Sequence, residues 1–339
     1  MRLSLNDLLR ATSRSFYLTL RVLPAPVRAQ IGLAYLLART TDTIADTEII
    51  PVAERLAALA SLRDRILSRS SATLDFRKFA ANENAGATAA ERVLLLRVED
   101  ALAVLASFST EDRERIAEVL DVITSGQELD LRRFAGAGAG NVIALADAAS
   151  LDDYTYRVAG CVGEFWTKMC RAHLFPEAPL DDAALLRDGV RFGKGLQLVN
   201  ILRDLPKDLS IGRCYLPQSE LAAAGLKPSD LLDLRNESRL RPVYDRWLAR
   251  AEQHLAAAWD YTKALPRAQI RLRLACAWPV LIGLQTLRRL REPGVLDPAK
   301  RIKISRADVR SIIFKTILRL PSETAWRKLA EPLPPSGDE

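Results

Sequence analysis

Residues 31–47 read IGLAYLLARTTDTIADT, and the spacing of their apolar and polar positions decides the fold class. Ile31, Leu33, Ala34 and Leu37 recur at the three- and four-residue steps of a helix. Tyr35, Arg39, Asp42 and Asp46 follow one another at four, three and four residues, a polar stripe on an otherwise apolar helix. Residues i and i+4 share a face, so both carboxylates point to one side, about 6 Å apart along the axis. The same period returns at Leu94, Leu95, Val98, Leu102 and Leu105. Ala, Leu and Arg dominate the chain, and each is a strong helix former. Strand-like alternation is scarce; residues 301–305 (RIKIS) are the nearest candidate, as a short strand or an extended loop. The reading is an all-α protein.

Working outward, breaks fall where Pro and Gly gather. Pro24 and Pro26 end the first helix, residues 82–88 (NENAGAT) make a polar turn, and residues 135–140 (AGAGAG) read as a flexible linker with Asn141 starting a helix. Residues 175–179, 206–217 and 292–298 are further connections. The chain has 339 residues, which a helical bundle can hold in one core. We expect a single helical domain over 1–320 and a partly disordered tail over 321–339, where EPLPPSGDE closes the sequence.

A second acidic pair sits in residues 193–209, GKGLQLVNILRDLPKDL, at Asp204 and Asp208. Asn200 lies one four-residue step earlier and Gln197 close to the same face. Pro206 is inside the motif and is expected to distort or end the helix there. Stacked carboxylates repel, and they become useful when a divalent cation sits between them. Magnesium takes one or two carboxylates with water and phosphate oxygens, and it favours loss of a phosphate leaving group. A single i,i+4 Asp pair is most often a solvated face. Here both pairs end buried-looking runs, which points to a cavity.

Composition narrows the partners. The net charge of +7 suits anions such as diphosphates or acidic lipid heads. No basic run is interleaved with aromatics, so nucleic acid is not expected. Cys161, Cys170, Cys214 and Cys276 form no C-x-x-C pair, and His173 and His254 are the two histidines, so no zinc site is expected. Free cysteines fit a reducing compartment. The first residues lack a signal-peptide core, and no run reaches the roughly 18 apolar residues of a membrane span. A cytoplasmic protein, at most peripheral to a membrane, is expected.

Several ordered segments resemble the squalene and phytoene synthase family, from about residue 13 to residue 310. They are SRSF (13–16), ARTTDTIAD (38–46), YTYRVAGCVG (154–163), QLVNILRD (197–204) and GRCYLP (212–217). The resemblance implies an isoprenoid-synthase-type helical bundle around one central cavity. It implies that Asp42, Asp46, Asp204 and Asp208, with Asn200, hold Mg2+ and diphosphate. It also implies that Arg39, Arg203 and Arg213 contact diphosphates, with Ser13, Arg14 and Phe16 near the phosphate entrance and Gln197 beside the substrate. Tyr154 matches the family's proposed catalytic tyrosine, and Tyr35 binds diphosphate or packs. The small residues 158–163 let an isoprenoid chain, or another helix, approach the backbone.

Where animal and fungal squalene synthases carry an extra acid inside each motif, this chain has Ala45 and Lys207. Residues 275–279 (ACAWP) and 302–306 (IKISR) resemble squalene synthase, the latter its basic flap, which implies NADPH near Lys303 and Arg306. No GxGxxG follows a strand, so that site is not of the Rossmann kind. The expected activity is therefore a farnesyl-diphosphate farnesyltransferase, squalene synthase, joining two farnesyl diphosphates through presqualene diphosphate to squalene. The alternatives are phytoene synthase, a relative that stops at presqualene diphosphate or hydroxysqualene without NADPH, and a non-catalytic helical assembly factor.

Overall fold

The computed structural model describes residues 5–13, 16–81, 87–300 and 302–330, with backbone alone at residues 5, 6, 16 and 17. Helix follows helix: α1 Leu5–Thr12, α2 Phe16–Val22, α3 Ala25–Asp46, α4 Val52–Ile66, α5 Arg77–Ala80, α6 Ala89–Leu96, α7 Val98–Ala106 and α8 Thr110–Arg133. A short strand β1, Ile143–Leu145, precedes α9, Ala148–Thr155. One π-helical turn, Tyr156–Gly160, joins α9 to α10, Cys161–Leu174. Then come α11 Asp182–Ser210, β2 Arg213–Pro217, α12 Gln218–Ala223, α13 Glu237–Ala264, α14 Ile270–Leu290, α15 Arg306–Arg319 and α16 Glu323–Arg327.

The first acidic stripe rides on α3. Pro24 caps this helix and Pro26 stands in its first turn, so the prolines open α3 rather than merely closing α2, which ends at Val22. Proline is tolerated there because first-turn amides have no intrahelical acceptor. Leu33, Leu36, Leu37 and Ile44 bury one side of α3, and Ile31 is buried on the side of Ala38 and Asp42; α3 packs on α8.

The second stripe rides on α11, which packs mainly against α13 and α10. Pro206 does not end this helix, as the sequence suggested; α11 runs on to Ser210. Proline removes the amide that would bond to the carbonyl four residues back, Leu202. That carbonyl accepts the hydroxyl of fully buried Tyr244 instead, at 2.9 Å. A tertiary hydrogen bond from α13 thus replaces the lost helical one, and Asp204 and Asp208 keep their shared face.

The small residues after Tyr154 serve close packing. A Cβ on Gly163 would lie 1.8 Å from the Gly189 carbonyl oxygen, so the π turn and α10 meet α11 backbone to backbone. The AGAGAG segment is likewise no linker, and Asn141 starts no helix. Gly138 and Asn141 form a β-bridge that leads into β1, which pairs in parallel with β2. Gly212, at φ +79°, presses on Gly138 so closely that a Cβ would sit 2.2 Å from its amide nitrogen. Residues 302–305 belong to neither a helix nor a strand.

The C-terminal boundary also moves. Residues 323–330 are helical, and Trp326 is fully buried, stacked on Trp259 at 5.9 Å beneath the Arg273 guanidinium. The domain therefore reaches at least residue 330, and the rest of the expected tail lies outside the described residues. Helix α14 is long and apolar enough to cross a membrane by composition, but 67% of that window is buried within the protein.

Candidate active site

Two cavities adjoin inside the bundle. One, about 320 Å³, is charged: Asp42 and Asp46 from α3, Gln127 and Asp130 from α8, Tyr154 from α9, and Arg213 and Tyr215 from β2 line it. The other, about 420 Å³, is apolar, with walls that include Ile31, Phe165, Trp166, Phe192, Leu196 and Pro279. Ala38, Ile123, Val158 and Val162 line both. The four-residue helical step explains the division, since Ala38 stands one turn before Asp42 on the same face. Val158 comes from the π turn, an irregularity that recurs at functional sites. Ala159, Val162 and Gly163 line the apolar chamber too, so the small residues serve both packing and the cavity wall.

The acids are short of positive charge. The Asp42 carboxyl is raised to about 6, first by burial and then by Asp46, against Arg39 and the Gln127 amide that donates to it. Asp46 is also raised, chiefly by burial. Asp208 is raised to about 7 by burial and by Asp204, with Lys207 and Arg213 opposing. Arg213 thus acts on Asp46 and Asp208 alike, and links the two stripes electrostatically. It fixes its own position over the Phe134 ring at 5.9 Å.

Tyr154, 8% exposed, stacks on Tyr215 with ring centroids 4.5 Å apart. The Tyr215 hydroxyl donates to Asp130 at 2.8 Å. Burial raises both phenols and lifts the Asp130 carboxyl to about 6. Tyr154, Tyr215 and Asp130 thus stand in succession along the wall of the charged cavity, the first two stacked and the last two hydrogen-bonded.

Not every expected residue converges here. Arg39 directs its Nε and Nη2 to Glu91, the capping glutamate of α6, and its Nη1 stands 3.6 Å from Asp42. Arg203 grips Asp204 with two hydrogen bonds, 2.9 and 2.6 Å. Asn200 borders the apolar chamber and lies 3.4 Å from the Gln197 amide oxygen. Tyr35 lines that chamber too, but its hydroxyl donates to the Thr12 carbonyl at 3.0 Å. Ser13 is buried and bonded to the Leu9 carbonyl. Lys303 and Arg306 are exposed and line neither cavity. Arg14 and the side chain of Phe16 lie outside the described residues.

Gln127, Asp130 and Tyr215 were missed in the sequence. The signal was there: Gln127 and Asp130 are one helical turn apart on the face of buried Ile123 and Leu131. Tyr215 follows Arg213 by two in a strand, which puts both on one side while Cys214 and Leu216 bury on the other.

Among the described residues no three acids, cysteines or histidines converge as a ready-made metal cage. The donor set still fits a hard cation that brings its own water and phosphate ligands: paired carboxylates raised by burial and then by each other's charge, with the buried Asp130 Oδ1 and Gln127 Oε1 left without partners.

The squalene/phytoene synthase family model matches residues 9–308, across both stripes, the tyrosine chain and both cavities. The chain belongs to that family. Squalene/phytoene synthases are prenyltransferase-type enzymes of isoprenoid biosynthesis. A presqualene diphosphate synthase from Sinorhizobium fredii is 28% identical over 312 residues, 91% of this chain and 95% of that protein. A bifunctional lycopene cyclase/phytoene synthase from Colletotrichum graminicola is 33% identical over 75% of this chain, which spans only 41% of that protein. The solved structure of TcSQS with the ligand BPH1237 has a TM-score of 0.74 at 21% identity, covering 98% of this chain and 92% of that one. It shares the isoprenoid-synthase helical fold.

Proposed function

We propose that this chain joins two farnesyl diphosphates head to head and releases presqualene diphosphate. The observation that carries this is the charged cavity, which is lined by Asp42 and Asp46, holds Arg213 and Asp130 within electrostatic reach of Asp208, and shares a wall with an apolar chamber; Asp204 and Asp208 themselves line neither space. Such a pair of spaces suits a molecule with an anionic head and a hydrocarbon body. The likeness to presqualene diphosphate synthases along nearly the whole of both chains supports the product.

Asp42, Asp46, Asp204 and Asp208, with Asn200, would hold magnesium, which when bound neutralises a departing diphosphate. Arg213 offers a planar fork to phosphate oxygens between the two stripes. Its neighbour Tyr154 takes the proton that the alkylated carbon loses as the cyclopropane closes. It passes its own proton to Tyr215, and Tyr215 passes its proton to Asp130. The apolar chamber keeps water from the allylic cation.

Reduction by NADPH to squalene is a second reading. It rests on Lys303 and Arg306, exposed beside Arg289, whose guanidinium donates to the Lys303 carbonyl at 2.6 Å. A cytoplasmic site fits the four buried, unpaired cysteines. Peripheral membrane contact fits α15, which exposes Phe314, Ile317 and Leu318 beside Arg310, Lys315 and Arg319.

Replacing Asp42→Asn and Asp204→Asn together lowers turnover of farnesyl diphosphate by at least about 100-fold, on the scale of losing preorganised electrostatic groups. Helical circular dichroism stays unchanged. Full activity in a folded double variant would remove the metal role of the stripes, whereas a folded parent without any turnover would favour a non-catalytic helical partner.

A further inference from the structure

Helix α11 has a second functional-looking side. Gly189, Phe192, Gly193 and Leu196 line the apolar chamber. Arg187, Arg191 and Lys194 lie on the opposite face, at 100° per residue. With Arg250 and His254 of α13 and Asp152 of α9 they enclose a separate cleft of about 510 Å³.

Four cations face one carboxylate in this cleft, and their needs are incompletely met. Lys194 pairs with Asp152 at 2.7 Å, and Arg187 reaches Asp188 at 3.2 Å. Arg191 donates to the Gln253 carbonyl at 2.9 Å, which neutralises no charge. Arg250 is exposed and makes no hydrogen bond or ion pair among the described residues. Beneath them His254 is 6% exposed, and its Nδ1 is buried without a partner. A buried polar atom without a partner costs stability unless a ligand or water supplies one. Burial first, then Arg250, Arg191 and Lys194, push the His254 imidazolium down to about 4, a second sign of uncompensated positive potential.

We propose that this cleft binds a phosphate-bearing anion, free or as a lipid headgroup, between Arg191, Arg250 and Lys194 over the His254 ring. Guanidinium forks match phosphate oxygens, and like charges held across a cleft favour an anion between them. The site is distinct from the acidic cavity and independent of which reaction occurs there. It also abuts the π turn: Lys194 lies 5.8 Å from the Tyr156 ring centroid.

The chain has two histidines, which makes a local test direct. Imidazole ¹⁵N resonances of the full chain are followed, with chelator present, as inorganic phosphate, inorganic diphosphate or monomeric dihexanoyl phosphatidic acid is added. His254 shifts saturably while His173, paired with Asp112 at 2.8 Å, does not. Saturation by the inorganic anions marks a free ligand; saturation by the lipid alone marks a headgroup. The Arg191→Gln/Arg250→Gln variant weakens binding by about tenfold or more, as expected for two lost charge-assisted contacts. Should that variant misfold, Arg250→Gln alone, at an exposed unpaired site, still weakens binding. No saturable His254 shift with any probe, or equal affinity in a folded variant, overturns the proposal.

Discussion

Asp130 is the residue on which the proton accounting of the site turns. It is half-buried, its Oδ2 accepts from Tyr215, and its buried Oδ1 has no partner. Its carboxyl is raised to about 6 because burial outweighs Tyr215, Arg213 and Arg133. The folded state therefore disfavours the ionised acid. That penalty is absent below about pH 4, where the group is protonated folded and unfolded, and it is complete above about pH 6. Asp130→Asn should gain melting temperature over the parent as pH rises through this window; a gap that does not change with pH would contradict the buried-acid assignment. The same variant loses the relay's terminus, so turnover should fall by about 100-fold, and the loss of activity below about pH 6 expected of the parent should flatten. An unchanged rate and profile would remove Asp130 from the proton path. None of this was legible in the sequence, because Asp130 and Tyr215 are 85 residues apart and only β2 brings them together. Asp42, Asp46 and Tyr154 were legible, since short helical or family-ordered spacing sufficed. Arg39 and Arg203 were read as substrate contacts from the resemblance; in the folded chain Arg39 meets Glu91, 52 residues away, and Arg203 meets its neighbour Asp204.

At the scale of elements, the helical period predicted the helices and missed what happens at their irregular places. Pro206 looked like a helix end because a local rule was applied without α13. Tyr244 compensates it from 42 residues away. Tyr244→Phe leaves the Leu202 carbonyl bare in a buried setting, and it should cost about 1–3 kcal/mol in thermal or urea unfolding. Stability equal to the parent would mean that α11 tolerates Pro206 unaided. The Gly-rich loop failed as a linker for the opposite reason: its value lies in contact with Gly212, invisible to composition. Gly163 makes the same point between α10 and α11. With the Gly189 carbonyl oxygen 1.8 Å from a would-be Cβ, Gly163→Val should push the helices apart and cost at least about 1–3 kcal/mol. Native-like melting would contradict the close approach.

For the whole molecule, the bundle, its family and its prenyltransferase character follow from ordered motifs spread over the chain and matched across residues 9–308. The C-terminal limit did not follow, because Trp326 is a lone aromatic in a polar stretch, and its burial beside Trp259 depends on the finished fold. Helix α15 adds a testable surface. Phe314 and Leu318 are each 67% exposed on a helix that also carries Arg310, Lys315 and Arg319. Phe314→Ser/Leu318→Ser should reduce cosedimentation with phosphatidylglycerol vesicles without changing turnover of soluble substrate. Equal cosedimentation would remove α15 as the contact. The central claim concerns the product. Purified protein incubated with farnesyl diphosphate and magnesium should yield presqualene diphosphate with or without NADPH. Squalene appearing on addition of NADPH would contradict release of the cyclopropyl diphosphate as the end product, and absence of any C30 product would contradict the head-to-head condensation itself.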